Sequence, residues 1–144
     1  MFRQITETFF VSPQISVDDV AEAKAMGAVM IVNNRPEGEE ASQTPAEDIE
    51  VAARAAGLLY AAVPVTHAGF SPWQLDGMEE ALAKAGEGKV LAYCRSGTRS
   101  TLLWALTRAR AGHDPEALSA KAAAAGYDLS PIRQIMDAVA AKAK

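Results

Sequence analysis

The stretch of the chain that most constrains its fold runs from residue 89 to residue 106. Residues 89–93 are mostly apolar and rich in strand formers, and the single cysteine, Cys94, follows them directly. A polar turn around Gly97 comes next, and apolar residues then recur at helical spacing. A strand, a loop and a helix in this order direct backbone N–H groups and the positive end of the helix dipole into the loop. The stretch therefore predicts an anion-binding loop with the sulfur of Cys94 at its centre.

The residues around Cys94 favour its ionised form. Backbone amides, the helix dipole and the guanidinium groups of Arg95 and Arg99 all stabilise a thiolate relative to a neutral thiol. The thiolate is the reactive form of cysteine, so this loop is typical of a nucleophile or an anion site. A lone cysteine at the end of a buried strand is also commonly an inert core residue. Two arginines and a glycine within the next five positions are difficult to explain by packing, and they favour the reactive alternative.

Composition limits the remaining possibilities. A chain of 144 residues is predicted to form one domain over residues 1–144, and its 49% hydrophobic and 22% charged content is typical of a soluble globular protein. The formal net charge of −4 gives no reason to expect nucleic acid or a membrane surface as partner. One cysteine excludes an internal disulfide, and neither a metal nor another cofactor is expected. With no long apolar run and no apolar segment after the first residues, we expect a cytoplasmic location.

The rest of the chain alternates apolar runs with helical patterns. A strand or short hairpin is predicted over residues 5–11, and strands over residues 28–32 and 58–65. Capping residues or prolines precede helical patterns at five points, Ser16, Pro45, Ser71, Asp114 and Ser130. Trp73 and Trp104 lie at helical positions with apolar neighbours, and both are predicted to pack in the core or at its rim.

This order of elements predicts a three-layer α/β fold. A mostly parallel central sheet is flanked by helices, and the C-terminal third of the chain is entirely helical. Two polar loops, residues 36–44 and 66–70, follow predicted strands. Because sites of open α/β sheets lie at the carboxyl ends of the strands, both loops are expected at the same edge as Cys94.

Several motifs carry a resemblance to known families. The loop Cys94-Arg95-Ser96-Gly97-Thr98-Arg99-Ser100 resembles the active-site loops of cysteine-dependent phosphatases and rhodanese-type sulfurtransferases. With residues 31–36 and 60–65, its layout is similar to that of dual-specificity phosphatases. A closer resemblance, carried by Asn34-Arg35-Pro36, Glu39-Glu40, Gln43 and residues 93–100, is to the phosphatase-like domain of the beta-lactamase hydrolase-like family. Some members are fused to sulfide- or persulfide-oxidising enzymes. The resemblance implies a cysteine-phosphatase-like fold, with sulfide-oxidation enzymes as partners.

Two departures from the phosphatase pattern separate the candidate activities. The spacing of Cys94 and Arg99 is one residue shorter than in phosphatase loops and equals that of rhodanese-like loops. Phosphatases also need an acid, commonly an aspartate on a loop before the cysteine, and residues 66–70 contain no aspartate. Sulfur transfer from thiosulfate makes no such demand, because sulfite is a stable leaving anion. The overall layout indicates a phosphatase, whereas the loop favours sulfur transfer.

We therefore predict a sulfurtransferase that takes sulfur from thiosulfate or a persulfide and carries it as a persulfide on Cys94. The first alternative is a phosphatase that forms a phosphocysteine on phosphotyrosine, phosphoserine or a small phosphoester. The second is a non-catalytic module that binds an anion or a persulfide for a partner enzyme. All three hypotheses share a small anionic ligand held over the same sulfur.

The candidate site residues are assigned by their positions in these loops. The predicted catalytic residues are Cys94 as nucleophile, Arg99 as anion holder, Ser100 as hydrogen-bond donor to the thiolate, and His67 in place of a phosphatase acid. Anion binding is predicted for the amides of Arg95, Ser96, Gly97 and Thr98, and for Arg35 at the rim with Glu40 as its orienting partner. The alternatives are a surface ion pair for Arg95, a first-turn helix role for Ser100, a loop position with the ring packed at the surface for His67, and solvated loop positions for Arg35 and Glu40.

Overall fold

The computed structural model describes residues 2–143 and contains one five-stranded sheet. Its strands are β1 (Arg3–Gln4), β2 (Phe9–Ser12), β3 (Ala28–Asn33), β4 (Leu59–Ala62) and β5 (Lys89–Tyr93), in the order β1-β2-β5-β3-β4. β1 pairs antiparallel with β2, and β2, β5, β3 and β4 pair in parallel. Since β5 is the middle strand, the residue that follows it leaves the sheet at the centre of its carboxyl edge.

Helices cover both faces of the sheet. They are α1 (Val17–Ala25), α2 (Ala46–Ala55), α3 (Pro72–Ala85), α4 (Thr98–Arg110), α5 (Pro115–Ala124) and α6 (Arg133–Lys142), with a 3₁₀-helix at Ser130–Ile132. Helices α1 and α2 pack on one face, and α3 and α4 pack on the other, with α5 and α6 against α4. The predicted three-layer α/β fold, with a mostly parallel sheet and a helical C-terminal third, is confirmed.

The two faces of the sheet are separated by strand alternation. In β5, Leu91 and Tyr93 belong to the core beneath α1 and α2, whereas Val90 and Ala92 belong to the core beneath α3 and α4. This is the two-residue period of a strand buried on both faces, as the continuous apolar sequence of β5 predicts. The position after Tyr93 therefore belongs to the side of the sheet from which α4 begins.

β4 is shorter than the strand predicted over residues 58–65. β4 ends at Ala62, three residues before the predicted limit at Val65, and Pro64 has no N–H to donate to the neighbouring strand. The amides of Val63 and Val65 still donate to the carbonyl groups of Asn33 and Asn34, both at 2.9 Å, so the segment stays beside β3 as an irregular extension.

The two tryptophans have different environments. Trp104 is buried and stacks on Phe9, with 5.7 Å between ring centroids, as predicted for a core residue. Trp73 is 57% exposed, so the prediction that it packs in the core or at its rim is wrong. It occupies the first turn of α3, whose inward face is formed by Gln74, Leu75 and Met78.

No helix among residues 2–143 combines the length and the apolar character needed to cross a membrane.

Candidate active site

Cys94 directly follows the central strand β5 and is 0% exposed. Its sulfur accepts a hydrogen bond from the amide of Gly97, with 3.1 Å between N and Sγ. Gly97 has a φ of +91°, a conformation that favours glycine, and it is the residue before the first turn of α4. The chain thus reverses between Cys94 and Thr98, which brings the positive end of the α4 dipole towards the sulfur.

Residues 94–100 are called the Cys94 loop here. Its carbonyl groups are held by hydrogen bonds. Three consecutive carbonyl oxygens accept hydrogen bonds: Arg95 from the amide of Gln14 (3.3 Å), Ser96 from the hydroxyl of Tyr127 (3.2 Å), and Gly97 from the amide of Thr101 (3.0 Å). In a trans peptide the N–H points away from the C=O of the same unit. The N–H groups that follow therefore point the opposite way: that of Gly97 donates to the sulfur of Cys94 at 3.1 Å, and that of Thr98 to the hydroxyl of Ser96 at 3.4 Å.

Arg99 is anchored by partners from two other loops. Its Nη1 and Nη2 donate to the two carboxylate oxygens of Glu39 at 2.7 and 2.8 Å, and Nη1 also donates to the carbonyl of Val65 at 2.6 Å. The side chains of Arg99 and Glu39 are 14% and 19% exposed. These contacts occupy one edge of the guanidinium group and leave the edge formed by Nε and Nη2 for a ligand.

The charges around Arg99 keep it ionised. The hydrogen bond with Glu39 is the main cause that raises the pKa of Arg99, and the nearby sulfur of Cys94 adds to the increase, while burial acts in the opposite direction. The sulfur and the guanidinium group are thus close enough to interact. Burial alone would also fit an inert cysteine, but the amide of Gly97 and this arginine give Cys94 the surroundings of an anion site.

Arg35 joins the loop after β3 to Gln14 and, through Glu40, reaches Arg95 of the Cys94 loop. Its Nε donates to Glu39 at 2.9 Å, Nη1 to Gln14 at 3.0 Å and Nη2 to Glu40 at 2.8 Å, and its side chain is 3% exposed. Glu40 also pairs with the Nε of Arg95 at 3.0 Å. All three nitrogens of the Arg35 guanidinium group contact protein oxygens, so Arg35 is a link between loops in this structure. A direct contact of Arg35 with a bound anion stays a prediction.

The other predicted site residues occupy different surroundings. Ser100 is buried, and its Oγ has no hydrogen-bond partner among residues 2–143, so the predicted bond to Cys94 is not formed here. The side chain of Arg95 is 67% exposed and pairs with Glu40, which matches the surface ion pair that was its alternative. Ser96 and Thr98 are exposed and join their hydroxyl groups at 3.0 Å. His67 is exposed on the loop that begins after Val65.

Three residues of the site lacked an assigned role in the sequence predictions. Glu39 holds Arg99, Gln14 supports both Arg35 and the Cys94 loop, and Tyr127 contacts the carbonyl of Ser96. Glu39 was part of the family motif, but nothing in its neighbourhood distinguishes it from Glu37 or Glu40. In the described part of the chain, no group of three or more His, Cys, Asp or Glu side chains is placed to hold a metal ion.

The pairing of Glu39 with Arg99 predicts that the free energy of unfolding decreases at low pH. The hydrogen bond from Arg99 is the main cause that lowers the pKa of Glu39 from 4.5 to about 2. A carboxyl group with a lowered folded-state pKa stabilises the fold above its unfolded pKa and loses this contribution as the pH falls through the folded value. We therefore expect the free energy of unfolding to decrease between pH 4.5 and about 2, and to decrease less in Glu39→Gln.

Urea denaturation followed from neutral pH to about pH 2 measures this difference. The control is Glu50→Gln, which removes an exposed carboxylate paired with Arg54 on the surface of α2. Parallel curves for wild type and Glu39→Gln throughout this range would contradict the prediction.

Known proteins are similar to this chain in sequence and in fold. Residues 1–111 match the family model described as the beta-lactamase hydrolase-like protein, phosphatase-like domain. The beta-lactamase hydrolase-like protein of Xylella fastidiosa strain Temecula1 is 35% identical over 126 residues, which cover 87% of this chain and 29% of the relative. The chain thus spans less than a third of the length of this curated relative.

Solved structures of two proposed phosphatases have the same fold as this chain. A proposed phosphatase from Neisseria meningitidis Z2491 is 32% identical, with a TM-score of 0.79 over 95% of this chain and 96% of that one. A proposed phosphatase from Shewanella putrefaciens CN-32 is 18% identical, with a TM-score of 0.76 over 98% and 91% of the two chains, and shows the fold alone. Fold and loop together define a phosphatase-like domain. The chain belongs to the beta-lactamase hydrolase-like family, and it corresponds to that family's phosphatase-like domain.

These similarities confirm the predicted family and favour one of the candidate activities. The matched domain and the related structures are described as phosphatase-like or as proposed phosphatases. They give no support to the predicted sulfurtransferase. The phosphatase, which was the first alternative in the sequence analysis, therefore fits better.

Proposed function

We propose that this domain is a phosphatase that hydrolyses small phosphoesters through a phosphocysteine on Cys94. The observation that carries the proposal is the arrangement of Arg99, a mostly buried guanidinium group fixed by Glu39 beside the buried sulfur. A planar fork held on one edge presents its other edge in a fixed orientation, which suits a tetrahedral oxyanion. The family match to a phosphatase-like domain supports the same chemistry.

The reaction proceeds in two displacements at phosphorus. The thiolate of Cys94 attacks the phosphoryl group and forms an S–P bond, while the P–O bond to the leaving group breaks and that oxygen takes a proton. Water then attacks the phosphorus, the S–P bond breaks, and inorganic phosphate leaves with the thiolate restored. Arg99 and the amides of the Cys94 loop stabilise the charge on the phosphoryl oxygens in both steps.

The covered sulfur adds a condition to this mechanism. Because Cys94 is 0% exposed, a phosphoryl group reaches the sulfur only after the groups that cover it move apart. Arg95, Ser96 and Thr98 are the exposed residues of the loop and form its outer surface. A substrate that binds the amides and Arg99 would supply the free energy that this opening needs.

Two parallel assays test the proposed reaction. The purified chain is incubated with p-nitrophenyl phosphate, and separately with thiosulfate and cyanide, while phosphate and thiocyanate are measured. We expect phosphate release and no thiocyanate. Thiocyanate formation without phosphate release would replace the proposal by sulfur transfer, and binding of phosphate without either product would replace it by a non-catalytic anion-binding module.

His67 is our proposed proton donor to the leaving group. The carbonyl of Val65 contacts Arg99, so the loop that carries His67 begins beside the anion site. We expect His67→Asn to lower kcat on an alkyl phosphate by at least about 100-fold, because an alkoxide needs protonation, and to have much less effect on p-nitrophenyl phosphate.

The other histidine provides a matched control for this experiment. His113 lies beyond the far end of the 13-residue helix α4, about 20 Å from its first residue. His113→Asn should leave both rates unchanged. If His67→Asn reduces the two rates by the same factor, or reduces neither, another group donates the proton.

A further inference from the structure

Tyr127, far from the Cys94 loop in sequence, contacts that loop through its side chain. It follows α5, lies outside residues 1–111 that match the family model, and is 8% exposed. Its hydroxyl donates to the carbonyl of Ser96, with 3.2 Å between the oxygens. Burial raises the pKa of Tyr127, so the hydroxyl keeps the proton that it donates.

The peptide unit between Ser96 and Gly97 makes two hydrogen bonds in opposite directions. Its carbonyl oxygen accepts from Tyr127, and its N–H donates to the sulfur of Cys94 at 3.1 Å. Because the unit is planar and trans, the orientation of one group fixes the orientation of the other. Rotation of this unit about the chain would break both bonds together.

The ring of Tyr127 also fills the space beside Gly97. A Cβ atom added to Gly97 would overlap the hydroxyl of Tyr127 and would lie 3.1 Å from its Cζ atom. Gly97 also has a φ of +91°, so both the conformation and the close approach of the ring require a glycine. Tyr127 therefore contacts the loop at the residue where the chain turns into α4.

The ring of Tyr127 also contacts the N-terminal hairpin. The guanidinium carbon of Arg3 lies 5.3 Å from the centroid of the Tyr127 ring, and its Nη1 donates to the carbonyl of Ala125 at 3.3 Å. Gly126 has a φ of +96°, and a Cβ atom there would lie 2.8 Å from Nη1 of Arg3. The tyrosine is thus held between β1 and the Cys94 loop.

We infer that Tyr127 is a positioning residue for the Cys94 thiolate: it orients the Ser96–Gly97 peptide so that the Gly97 amide stabilises the sulfur anion. The inference rests on the proposed function, since the thiolate is the nucleophile of the phosphatase reaction. Tyr127 itself touches neither the sulfur nor the substrate in this scheme. It acts through one peptide unit.

Tyr127→Phe tests this role, because it removes the hydroxyl and keeps the ring. The rate of Cys94 alkylation by iodoacetamide is measured against pH for the full chain, in which Cys94 is the single cysteine. We expect the midpoint of the pH profile to move upward by about half a unit to one unit. The reason is that loss of the Tyr127 hydrogen bond weakens the stabilisation of the thiolate by the Gly97 amide. The plateau rate reports access to the sulfur and is read separately.

Phosphatase kinetics provide a second measurement. We expect kcat/KM of Tyr127→Phe to fall about 3- to 10-fold, with the loss in kcat, and the acid limb of its pH profile to move with the alkylation midpoint. Alkylation requires no catalysis. If the wild type released no phosphate, the proposed function would fail, and the shift of the midpoint would still decide the role of Tyr127.

Two further variants complete the test. Tyr60→Phe removes a hydroxyl that binds the side chain of Asn33 at 3.1 Å, and it should leave the midpoint unchanged. Arg3→Ala, at an exposed position, frees the outer face of the Tyr127 ring and should move the midpoint in the same direction as Tyr127→Phe. An unchanged midpoint in Tyr127→Phe, or an equal shift in Tyr60→Phe, would overturn the inference.

Discussion

Cys94→Ser will release phosphate from p-nitrophenyl phosphate at least about 1,000-fold more slowly than the wild type. The substitution places a hydroxyl, which stays protonated at neutral pH, where the proposed mechanism needs a thiolate. Cys94 is the single cysteine of the chain, so no second thiol replaces it. Phosphate release at saturating substrate gives the ratio of the two kcat values.

The control for this variant is anion binding. Arg99 and the backbone amides are unchanged in Cys94→Ser, so its affinity for inorganic phosphate, measured by calorimetry, should stay within about 10-fold of the wild type. A rapidly acid-quenched reaction of the wild type should show one added phosphoryl group in the intact mass, and the variant should show none. Residual activity of one tenth or more in Cys94→Ser would exclude a phosphocysteine as the main route.

The region around Cys94 was predictable because its signals are local. Strand formers lead to the cysteine, a glycine occupies the turn with a positive φ, and apolar residues at helical spacing follow within one short stretch. Strand and helix patterns alternate before it, and a parallel sheet with crossover helices is the arrangement that buries them. These features depend on neighbours in sequence, so the three-layer fold followed without knowledge of the contacts.

The limits of β4 and the position of Trp73 depend on contacts that the sequence does not display. Residues 58–65 have the composition of a strand, but β4 is an edge strand, and Pro64 interrupts its pairing with β3. Trp73 has apolar neighbours on α3, although the face that contains it is turned to solvent. A helical pattern identifies neighbours on a face, and only packing decides which face is covered.

The partner of Arg99 was equally beyond local reasoning. Glu39 lies 60 positions before Arg99, in a loop that also contains Glu37 and Glu40. The path of that loop decides which carboxylate faces inward, and Gly38, with a φ of +76°, lies at its turn. Sequence reasoning gave Glu40 an orienting role and left Glu39 without one. In the structure Glu40 does contact Arg35, and it also pairs with Arg95, whereas Glu39 lies between Arg35 and Arg99 and is less exposed.

The choice between sulfur and phosphate chemistry shows a different limit of prediction from the sequence. The spacing of Cys94 and Arg99 determines how many backbone amides surround the guest, and it favoured a sulfurtransferase. It does not determine which atoms the guanidinium group contacts. The anchored Arg99 suits the tetrahedral oxyanion that both reactions bind, and the family match supports the phosphatase.

Arg99→Lys should produce the second large loss of phosphatase activity, because the geometry of the guanidinium group is the feature that carries the proposed function. Lysine keeps the positive charge but is a point charge, so it cannot bind both oxygens of Glu39 and present a second planar edge to a phosphoryl group. We expect kcat/KM on p-nitrophenyl phosphate to fall by at least about 100-fold. Affinity for inorganic phosphate should fall in parallel.

The matched control is Arg95→Lys in the same loop. Arg95 carries the same charge, but its side chain is 67% exposed and its ion pair is with Glu40, so its activity should stay within about 3-fold of the wild type. Arg99 also holds Glu39 and Val65, so Arg99→Lys should lower the melting temperature, and both variants are assayed well below it. If Arg99→Lys also stayed within about 3-fold of the wild type, positive charge near the loop would be sufficient for activity. The orientation of Arg99 would then have no special role, and the main reason for assigning phosphoryl transfer to this site would be lost.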